Sequence, residues 1–523
     1  MTIPIITIME IPALLLASWP LARLWQSRHL APLFPKQQRW LAGLLLGWLV
    51  ILGLLAIWFP NLLHTLTLIV LPVSVTLAWR ARSNYGKSSG YPPGSLSLTQ
   101  SVAALADRSH YIDQATKYGP IFKMSQFHKP VVCIIGFEQG FRLFREHRKA
   151  LGPSKLPFNQ EVQGGFLRYM DDRVHSKYAP LFMKALAAKN LMGLAPRVSA
   201  ICQQTLSMMS QDCTDSVGGA VAPGAYCEQL AFDALAATLF GLSQDMPEYD
   251  QMIKAYSGLG AYSLADPVSE KTRQSLNQLR RFLSGYCAGF SEPGTLDRRS
   301  CTLFELHKLD AAMPDEVCID NLLFIQKIAS RNVADLLQWI FKMLGDHPEW
   351  MELTRLDNEQ PPAIGMTAVA DRIVDETLRL AQSEYLYRVL TEDVSFEGYT
   401  LPRGWLVRLC VWESHRSCPS FEQPEQFNPD RFAGREFSAH EYAPFGYGKH
   451  ACNGAHLARL IAREFTRILS SDFEYEVVND GPVERDFRHW GHWRPSSNFK
   501  VKLTRKAPGE ASAVHPPEVV ASA

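Results

Sequence analysis

The chain has 523 residues, a formal net charge of +1 and 20% charged residues. This near-neutral balance argues against a nucleic-acid partner, which would need a basic surplus. The ten cysteines are scattered without a C-x-x-C pair, which argues against a zinc ribbon, a thioredoxin motif or a disulfide framework. Most of them are predicted to be reduced, buried residues of a cytosol-facing protein, and the length allows one large domain or two to three ordinary ones.

The first 82 residues predict a membrane anchor. Two uncharged 19-residue runs, residues 41–59 and 61–79, each span roughly 28 Å as a helix, close to the hydrocarbon thickness of a bilayer. Basic residues flank the pair and none lies in the turn between the runs, which predicts a hairpin with both ends in the cytoplasm. The alternative is one true span plus a membrane-surface segment. Residues 3–25 are a weaker third candidate, as a span, an interfacial helix or part of a targeting signal.

The rest of the chain predicts a mainly α fold with a small β part. A Ser/Gly/Pro linker covers residues 83–95, a folded domain covers residues 96–506, and residues 507–523 are predicted to be a disordered tail. Strand-like runs such as residues 131–136 come early, and the periodicity from residue 168 to 379 is mostly helical.

The longest predicted helix covers residues 321–345, with Gly345 closing it and Pro348 following. Short strands and turns then reach to about residue 430. A further helix, residues 454–469, follows the last cysteine.

The stretch "FGYGKHACNG", residues 445–454, places Cys452 among three glycines. Glycines permit unusual backbone angles and close approach of a large group. The stretch resembles the cysteine-ligand loop, F-x-x-G-x-[RH]-x-C-x-G, of the cytochrome P-450 superfamily.

Further matches lie upstream in the order that this family uses. "ETLR" resembles its E-x-x-R helix, and "FNPDRF" resembles its F-x-P-x-R-F loop. "YGPIFKM" resembles its first strand, and "TEDVSFEGYTLPRG" and "VWESHR" resemble the strands between. Together these matches cover most of residues 90–505, so the resemblance implies the cytochrome P-450 fold, with a long central helix over the haem and the cysteine loop beneath it.

The resemblance implies haem b with Cys452 as the axial thiolate ligand of its iron. A thiolate donates electron density that favours O–O cleavage. Phe445 and Gly446 would form part of the loop around the cofactor, and His450 and Arg388 would contact the haem propionates. The alternative for Arg388 is an ordinary surface arginine on a strand.

Three charged residues and one histidine complete the sites that the resemblance implies outside the long helix. Glu376, Arg379 and Arg431 would form a buried structural ion network, and breaking it would cost about 3–5 kcal/mol. His175 would be a further propionate contact, although the arginine expected four positions later is replaced by Ala179. A solvated histidine is the alternative for His175.

The long helix departs from the family pattern [AG]-G-x-[DE]-T. Ala329 keeps a small residue, but Arg331 replaces the acid and Asn332 replaces the threonine, two residues that help bring protons to iron-bound oxygen in the family. Asn332 is thus a candidate catalytic residue, with the alternative that it only caps a kink. Arg331 would either point outward or pair with the substrate.

The same helix supplies further candidates. If the long helix is aligned incorrectly with the family pattern, Ser330 is the next candidate catalytic residue. Ile328 and Asn332 share a helix face, so Ile328, with Ala329 and Phe324, would line the substrate pocket.

These observations predict a membrane-anchored haem-thiolate oxygenase of the endoplasmic reticulum, with its catalytic domain in the cytoplasm. Its partners would be NADPH-cytochrome P-450 reductase, O2, membrane lipid and a small, largely apolar substrate. The resemblance implies a fungal or plant specialised-metabolism enzyme that tailors an alkaloid or peptide-derived mycotoxin by hydroxylation, dehydrogenation, ring closure or radical coupling. The alternatives are a reductase-independent haem isomerase or dehydratase, and a non-enzymatic haem sensor or carrier.

Overall fold

The computed structural model describes residues 90–96, 100, 103–104, 106–126, 129–153, 166–167, 170, 172–259, 270–288, 300–360, 366–381, 386–486 and 492–506. The predicted membrane spans, most of the linker and the predicted C-terminal tail lie outside these residues. Within them, no helix combines the length and the apolar character needed to cross a bilayer. The chain divides into two compact units, residues 1–154 with 385–410, and residues 155–384 with 411–523.

The described α-helices and β-strands are numbered here in chain order. The helices are α1 His110–Tyr118, α2 Phe137–Glu146, α3 Asp172–Ala185, α4 Ala188–Leu191, α5 Ala195–Asp215, α6 Gly224–Phe240, α7 Pro247–Ser257, α8 Glu270–Ala288, α9 Thr302–Leu309, α10 Asp315–Asp346, α11 Glu349–Glu359, α12 Val369–Ala381, α13 Val411–Ser417 and α14 Ala455–Asp472. The strands are β1 Gly94–Ser95, β2 Ile121–Gln126, β3 Lys129–Ile134, β4 Leu151–Pro153, β5 Leu386–Leu390, β6 Val394–Phe396, β7 Tyr399–Leu401, β8 Leu406–Leu409, β9 Phe473–Asn479, β10 Val483–Asp486, β11 His492–Pro495 and β12 Lys500–Arg505.

The first unit is built on a six-stranded sheet with the order β1-β2-β3-β8-β5-β4. Strand β2 pairs antiparallel with β3, β3 pairs parallel with β8, and β8 pairs antiparallel with β5. Phe122, Val131 and Cys133 are fully buried in the core of this unit. Aromatic and β-branched residues such as Phe122 and Val131 suit strands that are covered by packing.

Two sequence predictions in the first unit need correction. Residues 94 and 95, placed in the linker, form strand β1 and pair with β2. The strand expected from Tyr118 begins only at Ile121, because Tyr118 ends helix α1 and Gly119 has a φ of 90°. Gly119 and Pro120 therefore form the turn between the helix and the strand.

The second unit is mainly helical around the long helix α10. This helix starts six residues earlier than predicted, with Pro314 at its N-cap and the acidic Asp315 and Glu316 in its first turn. Acidic residues at that position interact favourably with the helix dipole. Phe341 of α10 packs edge-on against Phe465 of α14, with ring centroids 5.1 Å apart, so the two helices share one apolar core.

Gly345 does not end α10, which continues to Asp346. A Cβ atom at Gly345 would lie 2.3 Å from Cγ2 of Val477 and 3.1 Å from Oη of Tyr475. Tyr475 also donates from its hydroxyl to the carbonyl of Phe341 at 2.7 Å. The glycine is therefore required because strand β9 packs directly on the helix backbone.

The segment "VWESHR" was predicted to be a strand, but it lies in helix α13. The indole N–H of Trp412 donates to the carbonyl of Leu380 at 2.8 Å, and Nη2 of Arg416 donates to the same oxygen at 3.1 Å. Since the last carbonyls of a helix lack intrahelical partners, these two side chains bind α13 to the C-terminal end of α12.

Candidate functional site

Cys452 lies between a glycine loop and the start of helix α14. Gly446 and Gly448 have φ angles of 77° and 67°, a conformation that glycine adopts without steric cost. The N–H of Cys452 donates to the carbonyl of Phe445 at 2.9 Å, which closes the loop. A Cβ atom at Gly454 would lie 3.9 Å from Sγ of Cys452, so the loop brings little side-chain bulk next to the sulfur.

Cys452 is the exposed cysteine of the chain, and the other nine, all among the described residues, are buried or half-buried. Burial raises the pKa of the Cys287, Cys301 and Cys318 thiols to about 12, so these thiols stay protonated. Cys452 instead precedes an 18-residue helix, whose N-terminal dipole favours a negative charge. This setting fits a thiolate that serves as a metal ligand.

Helix α14, which follows the loop, also contacts it. The guanidinium of Arg459, on α14, lies 4.7 Å from the ring centroid of Phe445. Nε of Arg459 donates to Oδ1 of Asp375 at 2.9 Å, and the hydroxyl of Tyr442 donates to the carbonyl of Asp375 at 2.8 Å. Asp375 of α12 therefore binds both Tyr442, which lies just before the loop, and Arg459 of helix α14, which follows the loop.

A buried ion network lies one residue further along α12. Glu376 and Arg379 are both fully buried, and Nε and Nη2 of Arg379 donate to the two carboxylate oxygens at 2.7 and 2.8 Å. Nε of Arg431 lies 3.4 Å from Oε1 of Glu376, and the N–H of Asn428 donates to that oxygen at 2.9 Å. Arg379 also donates to the carbonyl of Pro424 at 2.7 Å. The network therefore fixes the segment around "FNPDRF" to α12.

The middle of helix α10 is less buried than its flanks. Residues 317–323 and 333–341 are buried, whereas residues 327–332 are all half-buried. Phe324 stacks on Phe166 with ring centroids 4.4 Å apart, and Ile328 and Ala329 lie within or beside this half-buried stretch. The predicted pocket residues therefore lie in the half-buried middle of α10, between its two buried stretches.

Arg331 does not point to an open space but to protein carboxylates. Its Nη2 lies 3.0 Å from Oδ1 of Asp335, and its Nη1 pairs with Glu228 of helix α6. Nδ1 of His492 lies 3.4 Å from the other carboxylate oxygen of Asp335. Arg331 therefore belongs to an ion-pair cluster with its charge paired twice, and a catalytic role for it stays a prediction.

Ser330 and Asn332 differ in the use of their polar groups. The hydroxyl of Ser330 donates to the carbonyl of Gln326 at 2.6 Å, so it is bonded within its own helix. Asn332 is half-buried, and its amide makes no hydrogen bond to any other residue in the described ranges. Of these two candidates, Asn332 has the side chain that can still bind a water or a substrate group.

The residues proposed for the propionates lie on separate elements. His450 lies in the 3₁₀ turn Gly448–His450, two residues before Cys452. Arg388 lies on β5 of the first unit, where its Nη1 donates to the carbonyl of Tyr387 at 2.8 Å and its guanidinium lies 5.5 Å from the ring centroid of Phe144. His175 is only 4% exposed in α3, so the alternative of a solvated His175 is wrong.

His415 was not predicted as a site residue, because the surrounding segment resembles a strand. His415 is fully buried, and its Nε2 accepts a hydrogen bond from the N–H of Ala443 at 3.1 Å. The helical spacing of Val411, Ser414 and His415, all buried, is the signal that would have placed them on one face of a helix.

The described residues contain no cluster of three or more His, Cys, Asp or Glu side chains suited to a metal ion.

Comparisons with known proteins agree with this geometry. A sequence model of the family described as Cytochrome P450 matches residues 332–503. Abscisic acid 8'-hydroxylase 2 of Arabidopsis thaliana is 25% identical in an alignment 447 residues long, which covers 79% of this chain and 89% of the relative. Abscisic acid 8'-hydroxylase 3 of Oryza sativa subsp. indica is 25% identical in an alignment 442 residues long, which covers 76% of this chain and 84% of the relative.

Two solved structures show the same fold. The cyanobacterial CYP120A1 with bound retinoic acid matches with a TM-score of 0.65 and 21% identity, over 80% of this chain and all of the other chain. A zebra fish cytochrome P450 with abiraterone matches with a TM-score of 0.58 and 18% identity, over 76% of this chain and 99% of the other. The predicted mainly helical fold with a small β part is confirmed.

Proposed function

We infer that this chain is a monooxygenase that binds haem b, with Cys452 as the axial ligand of the haem iron. The inference rests on its similarity to the cytochrome P450 superfamily, a family of haem b enzymes. The observation that carries the assignment is the setting of Cys452, which is exposed, follows a loop with two left-handed glycines and precedes a long helix. No other cysteine of the chain combines these features.

The chain's own residues would have distinct tasks around the cofactor. When bound, haem supplies the centre at which O2 is activated, and a thiolate ligand strengthens that chemistry. Phe445 and Gly446 would form the loop beneath it, and His450 and Arg388 would hold its propionates by charge-assisted hydrogen bonds. His175 is a weaker candidate for the same role.

Proton delivery would depend on the amide of Asn332. An amide both donates and accepts hydrogen bonds but does not exchange a proton as readily as a hydroxyl. Asn332 would therefore hold a water or a polar group of the substrate, from which the proton comes.

The substrate we propose is a small, largely apolar metabolite of specialised metabolism. An alkaloid or a peptide-derived mycotoxin from a fungus remains a prediction, because the relatives named above are plant abscisic acid hydroxylases. Hydroxylation is the reaction favoured by those names. Dehydrogenation or oxidative coupling is the second candidate, favoured by the replacement of the usual threonine by Asn332.

The electrons would come from NADPH-cytochrome P-450 reductase in the endoplasmic reticulum membrane, with the catalytic domain in the cytoplasm. This proposal rests on the family and on the apolar N-terminal sequence. Reductase-dependent NADPH consumption that rises with substrate would distinguish an oxygenase from a haem isomerase or a haem sensor.

The assignment of Cys452 is tested by its spectrum. We expect Cys452→Ser to lose the ferrous–CO Soret band typical of thiolate ligation, together with activity, because a hydroxyl does not replace the thiolate. Cys410→Ser, at a fully buried cysteine of the first unit, is the matched control and should keep the band. An unchanged band in Cys452→Ser would overturn the proposed function.

A further inference from the structure

We propose that His415 is a positioning residue for Cys452, because it holds the glycine loop through a line of hydrogen bonds that runs along the backbone. The inference rests on the proposed function, since it takes Cys452 as the metal ligand. It assigns a role to a residue that does not touch the cofactor and lies 37 positions earlier in the chain.

Three hydrogen bonds make up this line. The N–H of Ala443 donates to Nε2 of His415 at 3.1 Å. The carbonyl of Ala443 accepts from the N–H of Gly446 at 3.1 Å, and the carbonyl of Phe445, next to Gly446, accepts from the N–H of Cys452 at 2.9 Å. The side chain of His415 therefore fixes the turn that starts the loop, and this turn presents the carbonyl that fixes the cysteine backbone.

The chemical state of His415 suits an acceptor. Burial, and then the positive charges of Arg379 and Arg416, hold the pKa of His415 well below its usual value, so the imidazole is neutral. Because Nε2 accepts a hydrogen bond from a backbone N–H, the ring proton must lie on Nδ1. A protonated ring would present a donor to the N–H of Ala443, and the line of hydrogen bonds would break at its first member.

The ring itself is held in place. Its centroid lies 5.3 Å from that of Tyr442 and 6.4 Å from that of Phe421. Helix α13, which carries His415, is bound to the end of α12 through Trp412 and Arg416. A rigidly held acceptor can fix a loop, whereas a mobile one would follow the loop's own movement.

The hydrogen bond from Ala443 to His415 determines how firmly the loop positions Cys452. The loop glycines Gly446 and Gly448 are conformationally permissive, so the loop does not determine its own shape. Without the acceptor at His415, the N–H of Ala443 is left unsatisfied in a buried place, and the loop gains freedom to satisfy it elsewhere. Cys452 would then be held less firmly as a ligand.

The test compares four variants by ferrous–CO spectrum and by haem reduction potential. We expect His415→Leu, which removes the acceptor, to give a several-fold larger fraction of the complex without thiolate ligation and a shifted potential. His415→Gln places an amide oxygen near the position of Nε2 and should restore most of the wild-type spectrum. His415→Asn, one methylene shorter, should not; this pair decides the matter if His415→Leu does not fold.

Thr302→Val is the control for a merely structural effect. Thr302 is buried, and its hydroxyl donates to the carbonyl of Thr238 at 3.1 Å, so the variant removes one buried hydrogen bond in helix α9. It should lower stability but leave the spectrum and potential unchanged. The inference fails if His415→Gln and His415→Asn give the same spectrum, or if His415→Leu changes no more than Thr302→Val. A wild-type protein without the thiolate band would instead overturn the proposed function.

Discussion

In the proposed register Asn332 takes the position of the threonine in the cytochrome P450 helix pattern, and the two side chains behave differently in a helix. A threonine hydroxyl can donate to the carbonyl four residues earlier, as Ser330 does to Gln326. An asparagine amide extends further from the helix, and that of Asn332 has no hydrogen-bond partner in the described part of the chain. This difference matters because proton delivery requires a group directed away from the helix backbone.

We expect Asn332→Thr not to improve the native reaction and to add side products that carry an inserted oxygen, since the hydroxyl opens a second proton route. General acid help of this kind is worth about 10²–10⁴-fold, so the change should be visible in the product ratio and in the coupling of NADPH use to product. Asn332→Ala tests the opposite case, because alanine has neither a hydroxyl nor an amide with which to hold a water. A tenfold gain in rate and coupling for Asn332→Thr would show that the asparagine is not suited to this reaction.

At the scale of elements, the contact between α10 and β9 depends on the missing side chain of Gly345. Replacement of an interior helix glycine by alanine normally stabilises a helix by about 1 kcal/mol. Here the added Cβ would lie 2.3 Å from Cγ2 of Val477, and such overpacking costs about 1–3 kcal/mol. We therefore expect Gly345→Ala to lower the free energy of unfolding.

The measurement is chemical denaturation of the haem-loaded protein. Gly285→Ala, in helix α8, is the control, because a Cβ atom there has no neighbour within 4 Å, and it should stabilise the protein. Adding Val477→Ala to Gly345→Ala should recover part of the loss. If both glycine variants raise stability equally, β9 does not pack on α10 as closely as described.

The individual helices and loops show which features could be predicted from the sequence and which could not. The helix after Cys452 was predictable because its apolar residues recur with helical spacing, and the glycines before it indicated a loop with unusual backbone angles. The strand assignment for "VWESHR" was wrong because that helix is stabilised by Trp412 and Arg416, which donate to the distant carbonyl of Leu380. The ion pairs of Arg331 were likewise beyond reach, since Glu228 lies 103 residues away in sequence. Contacts of this kind follow from the fold and leave no periodic trace.

At the scale of the whole molecule, we propose that the first 82 residues anchor the chain in a membrane. Seven basic residues flank the two apolar runs, which predicts a hairpin with its turn in the lumen. We expect a glycosylation acceptor inserted beside Pro60, with enough spacing, to be modified, and one beside Ser89 not to be. Modification near Ser89 would contradict the cytoplasmic orientation. Deletion of residues 1–82 should release a haem-binding protein from membranes, measured by its distribution after centrifugation.

The exposure of Cys452 has a consequence for the life of the protein before it receives its cofactor. The sulfur is accessible and stands where a helix dipole favours the thiolate, the form that peroxides oxidise to sulfenic and then to irreversible sulfinic acid. The buried thiols with a raised pKa are protected from this reaction. In the proposed function Cys452 holds the haem iron, so oxidation of this thiol before haem insertion would inactivate a newly made chain, and rapid haem insertion would protect it.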